Sequence, residues 1–224
     1  MQLLTRTVRT AIIGLLAFGL LIFAPAGTLD YWQGWTFLLV FGLLTISIGL
    51  YLALANPALL ERRIRAGPIA ETRLAQKIII TMAFTAFCLM LIVSSLDHRF
   101  GWSQSPAWLS VIGNTLVAFG LMIDLRVFRE NSYGASTIEK MEGQEVIVTG
   151  PYAVVRHPMY VGVLIMTLGT PLALGSWWGA LFVTATIPIL MLRILDEETM
   201  LREELMGYEA YTRNVRYRLL PGVW

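Results

Sequence analysis

Residues 32–55 read WQGWTFLLVFGLLTISIGLYLALA, a run with no charged side chain. A hydrocarbon layer about 30 Å thick takes roughly 20 helical residues to cross, so this stretch predicts a membrane-spanning helix. Working outward, similar blocks occupy residues 8–24, 78–96, 108–127, 159–174 and 177–195. The whole chain agrees with them: 56% of its 224 residues are apolar, 14% are charged and the mean hydropathy is +0.65. That balance lies well to the apolar side of a soluble domain and excludes one. The blocks are continuously apolar and lack the period-2 alternation of barrel strands, so helices are expected. The predicted fold class is all-α, a polytopic integral membrane protein with about six transmembrane helices. The fifth block is short and runs through Gly175 and Ser176 into the sixth, which predicts a tight C-terminal helical hairpin followed by a cytoplasmic tail.

Charge sets the expected orientation, because Lys and Arg near span ends are retained in the cytoplasm. Arg6 and Arg9 precede the first block; Arg62, Arg63, Arg65, Arg73 and Lys77 follow the second. Arg126, Arg129, Lys140 and Arg156 lie in or beside the fourth, and Arg193, Arg202, Arg213, Arg216 and Arg218 mark the end. Of the 17 basic residues only Arg99 falls on the opposite side, so both termini are expected in the cytoplasm. Arg6 and Arg9, an apolar run and Ala24-Pro25-Ala26 also resemble a signal peptide with a small-residue cleavage site. A formal net charge of +2 is a topology signal and points to no nucleic acid. The single cysteine, Cys88, sits inside a span and can form no internal disulfide.

The outer loops are short, so the chemistry is expected on the cytoplasmic face. Glu61, Arg62, Arg63 and Arg65 read as a helix anchor to anionic headgroups. The stretch from Arg126 to Gly162 is denser in special residues: Asn131, Tyr133, Val146 and Val148 of a possible short strand, then Gly150-Pro151-Tyr152 and Arg156-His157-Pro158-Met159-Tyr160-Val161-Gly162. Pro158 suits the first position of a helix, which puts His157 at its N-terminus. Free N–H groups there, with Arg156, would make an anion site. His157 and Tyr160 would share one helical face. The same Arg, His and Tyr would equally serve as an interfacial belt. A second cluster comprises Arg193, Asp196, Glu197 and Glu198. Arg193 and Glu197 have the spacing of an intrahelical pair, while three adjacent acids could receive a cationic ligand. A hairpin would bring His157 and Glu197 together.

Gly150-Pro151-Tyr152, the RHPMYVG segment 156–162, and Glu197-Glu198 followed by Leu201, Gly207, Tyr208, Tyr211 and Val215 resemble the isoprenylcysteine carboxyl methyltransferase family. These are membrane methyltransferases that use S-adenosylmethionine. The resemblance covers roughly residues 120–221. It implies a cofactor-binding methyltransferase core with a tail over residues 120–224. Residues 1–119 are then N-terminal helices shaping a vestibule for a lipophilic substrate. It further implies that Tyr152, Arg156, His157, Tyr160 and Glu197 or Glu198 contact the cofactor. Arg126 and Arg193 resemble the family's arginines beside a methyl-accepting carboxylate.

Methyl transfer is an in-line displacement, so the protein must chiefly align nucleophile and methyl group, worth on the order of 7–11 kcal/mol. Tyrosine faces could attract the sulfonium. A carboxylate acceptor is already ionised and needs an arginine; an amine or thiol would need a base, with His157 or a glutamate as the candidate. The expected partner is a lipophilic small molecule or lipid, with neither metal nor nucleic acid. The alternative is an NADPH-dependent membrane reductase of the steroid or sterol type, which carries a similar arginine-histidine-proline segment and acidic pair. A non-enzymatic membrane scaffold or small transporter would leave the motif residues as interfacial belt.

Overall fold

The computed structural model describes residues 2–64, 67, 69–134, 137–138 and 143–224. Arg65 and Lys140, counted above among the inner charges, lie outside the described residues. The chain folds as α1 (Gln2–Ala26), α2 (Trp32–Ala55), α3 (Pro57–Ile64), α4 (Leu74–Phe100), α5 (Ala107–Glu130), α6 (Pro158–Ala173), α7 (Trp177–Glu204) and α8 (Tyr208–Asn214), with a 3₁₀ turn at Gly150–Ala153. The all-α expectation is borne out. Val146 and Val148 are in irregular chain, and no strand occurs among the described residues.

Helices α1, α2, α4, α5 and α7 are long and apolar enough to cross a membrane. α6, the short fifth block of the sequence, is not among these five. Its 16 residues reach only about 24 Å at roughly 1.5 Å per residue. Pro158 fixes its start, and Gly175, at φ +71°, turns the chain just after its end. The Ala24-Pro25-Ala26 segment lies within α1, and Ile22 and Ala26 are buried in the core.

The hairpin turn is pinned at the end of the bundle opposite the two motif clusters. Ser176 Oγ accepts from the Gly179 N–H at 2.9 Å and donates to Asp97 Oδ2 at 2.5 Å. Ser103 also donates to Asp97, through its N–H at 2.7 Å and through its hydroxyl. Tyr31 Oη donates to the Leu174 carbonyl at 2.7 Å. Each satisfies a polar group that burial would otherwise penalise.

Although α6 and α7 are consecutive, α6 packs most closely on α5. A Cβ at Gly120 would lie 2.5 Å from the Gly162 carbonyl oxygen, and one at Gly169 would lie 2.6 Å from the Gly113 carbonyl oxygen. The two antiparallel helices therefore touch backbone to backbone, the arrangement small residues permit where lipid gives no hydrophobic drive. α7 in turn runs antiparallel to α4, with Gly179 against Ser94 at one end and Arg193 against Gln76 at the other. One core, including Ile22, Phe37, Leu59, Leu91, Val117, Val127 and Leu174, continues across the 119/120 boundary.

Candidate functional site

The motif residues converge where α6 begins and α7 ends. The chain after α8 folds back over the start of α6: the N–H groups of Arg156 and His157 donate to the carbonyls of Tyr217 (2.9 Å) and Arg218 (3.0 Å). The Arg156 side chain donates to the carbonyls of Val215 (2.9 Å) and Arg216 (2.8 Å). The expected open anion site at this helix terminus is therefore partly closed, because the tail's carbonyls take up those donors. Tyr211 Oη donates to the Tyr152 carbonyl at 2.7 Å, tying α8 to the 3₁₀ turn.

Three adjacent acids leave α7 about 100° apart, so each meets a different surface. Asp196 accepts from Arg73 at 3.1 Å and from Gln76, on the α4 side. Glu197 Oε2 accepts from Tyr160 Oη at 2.7 Å and lies 4.0 Å from His157 Nδ1. Glu198 is buried and accepts from Arg156 Nε at 2.6 Å, His157 Nε2 at 3.2 Å and Arg218 Nε at 3.0 Å. With two arginines on it, Glu198 is an acceptor, so the His157 proton that faces it sits on Nε2. The His157 and Tyr160 rings stack with centroids 5.7 Å apart, as their shared face predicted.

These groups border a cavity whose lining includes Asn131, Tyr152, His157, Tyr160, Glu197 and Tyr208. Asn131 Nδ2 donates to the Tyr152 hydroxyl at 2.8 Å. Burial pushes the Tyr152 phenol up to about 12, against the smaller opposing effect of Asn131, so the ring is neutral at ordinary pH. The buried Tyr208 hydroxyl has no hydrogen-bond partner among the described residues. Tyr208 is also among the residues that line the cavity.

Of the expected cofactor contacts, Tyr152, Arg156, His157, Tyr160 and Glu197 line this cavity. Glu198 does not line it; it stands behind His157 and Arg156. The two arginines expected beside the acceptor also lie outside the lining. Arg126 is exposed, because Val127, one residue on, is the side chain that α5 turns to the cavity. Arg193 is buried, and rather than simply pairing along its own helix it reaches Glu71 Oε1 at 3.1 Å, Gln76 Oε1 at 2.9 Å and Tyr160 Oη at 3.1 Å.

Several residues emerged only in three dimensions. Glu71 and Gln76 come from the loop before α4 and its first turn. Arg63, read above as a headgroup anchor, lies over the Phe128 ring at 4.0 Å and contacts the cavity residues Met159 and Gly134. Burial lowers its pKa, and nearby Asp124 opposes that shift. Asp124 carried a sequence signal, an acid inside an apolar span.

Residues 108–206 match the sequence pattern of a family described as phospholipid methyltransferase. That segment contains the Gly-Pro-Tyr, RHPMYVG and Glu-Glu motifs; Gly207, Tyr208, Tyr211 and Val215 follow it. The mouse (Mus musculus) protein Delta(14)-sterol reductase TM7SF2 is 32% identical over 96 residues, 41% of this chain and 22% of its own length. The chain thus spans about a fifth of that relative. A solved structure of the eukaryotic intramembrane Ras methyltransferase ICMT (isoprenylcysteine carboxyl methyltransferase) covers 96% of this chain and 86% of that one, at 20% identity and a TM-score of 0.48.

Proposed function

We propose, on the premise that residues 108–206 are of the phospholipid methyltransferase type, that this polytopic membrane protein is a methyltransferase using S-adenosylmethionine. That match and the motif resemblance to isoprenylcysteine carboxyl methyltransferases fall on the same half of the chain. The observation that carries the reading is the cavity that both motif clusters line together, with Tyr208 in its wall. Its donor set suits the cofactor. Glu197, already aligned by Tyr160, can take an ammonium group. Tyr152 and Tyr208 offer neutral aromatic surface to a sulfonium. His157 presents Nδ1 at the wall while Glu198 fixes the ring from behind.

When bound, the cofactor supplies an electrophilic methyl carbon on a positively charged sulfur. The chain's own task is to hold the acceptor in line with that carbon and keep water out. We place the acceptor among lipophilic molecules, because the cavity borders a bundle made of membrane-crossing helices. The charge bias supports cytoplasmic termini, a side on which the soluble cofactor would reach the site. In this reading Arg193 acts through Tyr160 and Glu197 as a positioning residue, and Arg126 meets headgroups at the interface.

The reductase alternative draws support from the mouse relative, whose name is that of a sterol reductase. Calorimetry on the purified protein separates the two. Measurable affinity for S-adenosylhomocysteine with none for NADPH is expected; the reverse pattern sinks the methyltransferase reading. Incubation with labelled S-adenosylmethionine and a membrane lipid extract would then identify the acceptor class.

A further inference from the structure

Glu71 lies in the loop before α4, outside the segment 108–206 that matches the methyltransferase pattern. It is 2% exposed, and a carboxylate at that depth is costly unless its oxygens are met. Oε1 accepts from Arg193 Nη2 at 3.1 Å, and Oε2 accepts from the Ile138 N–H at 3.2 Å. Gln76, fully buried on the first turn of α4, accepts from Arg193 Nη1 at 2.9 Å. The antiparallel packing of α4 on α7 sets this meeting, because it lays the start of one helix beside the last turns of the other.

Each partner of Glu71 leads to the cavity by a different wall. Ile138 lines it and packs with Met200, Leu201, Leu205, Tyr208 and Tyr211. On the other side Arg193 Nε donates to Tyr160 Oη at 3.1 Å, and Tyr160 Oη donates to Glu197 Oε2 at 2.7 Å. Tyr160 and Glu197 line the cavity, whereas Glu71, Gln76 and Arg193 do not. One unbroken chain of hydrogen bonds thus runs from the Ile138 amide through Glu71, Arg193 and Tyr160 to Glu197. Its charges alternate in sign, so each bond polarises the next.

We propose that Glu71 is a positioning residue of this cavity. Through Arg193 and Tyr160 it holds Glu197 in the place, and with the negative field, that a cationic amine requires, and it ties that wall to the one formed by Ile138. Naming the amine as that of the methyl-donor cofactor rests on the methyltransferase reading. Without the Glu71 charge, Arg193 keeps its own beside Glu197 and opposes a second cation there. Glutamine keeps the size of Glu71, but its amide nitrogen sets a donor against either Arg193 or the Ile138 N–H. A buried pair that only fastened the loop to α7 would affect every ligand of the cavity alike.

The test compares S-adenosylhomocysteine with 5′-methylthioadenosine, which lacks the amino-acid end, by calorimetry on full-length protein in phosphatidylcholine nanodiscs. Glu71→Gln is expected to weaken S-adenosylhomocysteine about ten-fold, the worth of one hydrogen bond to a charged group, and to leave 5′-methylthioadenosine unchanged. Glu71→Asp keeps the charge and should show the same selectivity in smaller measure. Equal weakening of both ligands, or of neither, overturns the proposal. Hydrogen exchange at the Ile138 amide needs no ligand. Glu71→Gln, and Tyr160→Phe farther along the chain, should each speed it several-fold relative to wild type. Tyr160→Phe leaves Glu71 in place, so this arm survives a Glu71 variant that does not fold; unchanged exchange in Tyr160→Phe overturns the link. Wild-type protein that binds neither nucleoside, with exchange still dependent on Tyr160, defeats the methyltransferase reading and leaves the Glu71 link standing.

Discussion

Residues at the site divide into those that offer groups to the cavity and those that hold them. Glu198 belongs to the second kind. Its side chain and that of Arg156 are 4% and 5% exposed, so removing either partner leaves a buried charge, a loss of about 3–5 kcal/mol. Arg156→Ala and Glu198→Ala are each expected to lower the unfolding temperature sharply, and the double variant to be less damaged than the sum; additive losses would show that the pair is not coupled. Tyr208 belongs to the first kind. Its hydroxyl has no hydrogen-bond partner among the described residues, so Tyr208→Phe should leave stability within about 0.5 kcal/mol while weakening S-adenosylhomocysteine binding several-fold, measured by calorimetry. His157→Ala should likewise lose cofactor affinity with membrane insertion intact. A scaffold whose motif residues form only an interfacial belt would show no such loss.

At the level of elements, the α5–α6 contact fixes where the site sits. Asp124 and the Gly120 carbonyl press on Gly162, so a Cβ there has no space, whereas nothing lies within 4 Å of a Cβ at Gly14 on α1. Gly162→Ala is expected to destabilise by about 1–3 kcal/mol through overpacking. Gly14→Ala, by contrast, should be neutral or stabilising by up to about 1 kcal/mol, since alanine favours helix. Comparing thermal unfolding of the two in the same detergent checks this; equal effects would argue against backbone contact at Gly162. The tail is the second element that matters. It lies against the first residues of α6 and supplies Arg218 to Glu198, so the site depends on chain from both ends of the α6–α7 hairpin.

Across the whole molecule, counting the short α6 and the long α7 as one outward and one return passage after four preceding spans predicts both termini on one side. In a Cys88→Ala background, single cysteines at Thr10 and Asn214 should be labelled by an impermeant maleimide only from the cytoplasmic side, and one at Gln104 only from the opposite side. Labelling of Thr10 and Asn214 from opposite sides would exclude an even number of passages. The blocks, their helical character, the hairpin and the two motif clusters were legible in the sequence, because run length, charge bias and motif order are local properties of the chain. The α5–α6 contact, the separate partners of Asp196, Glu197 and Glu198, the closing of the α6 terminus by the tail and the inward turn of Arg63 were decided by tertiary structure. Each depends on which side of a helix faces a neighbour. Helical register settles that only when a second helix, distant in sequence, is packed against it, so an arginine one position from a cavity residue can face outward while one assigned to the surface packs inward.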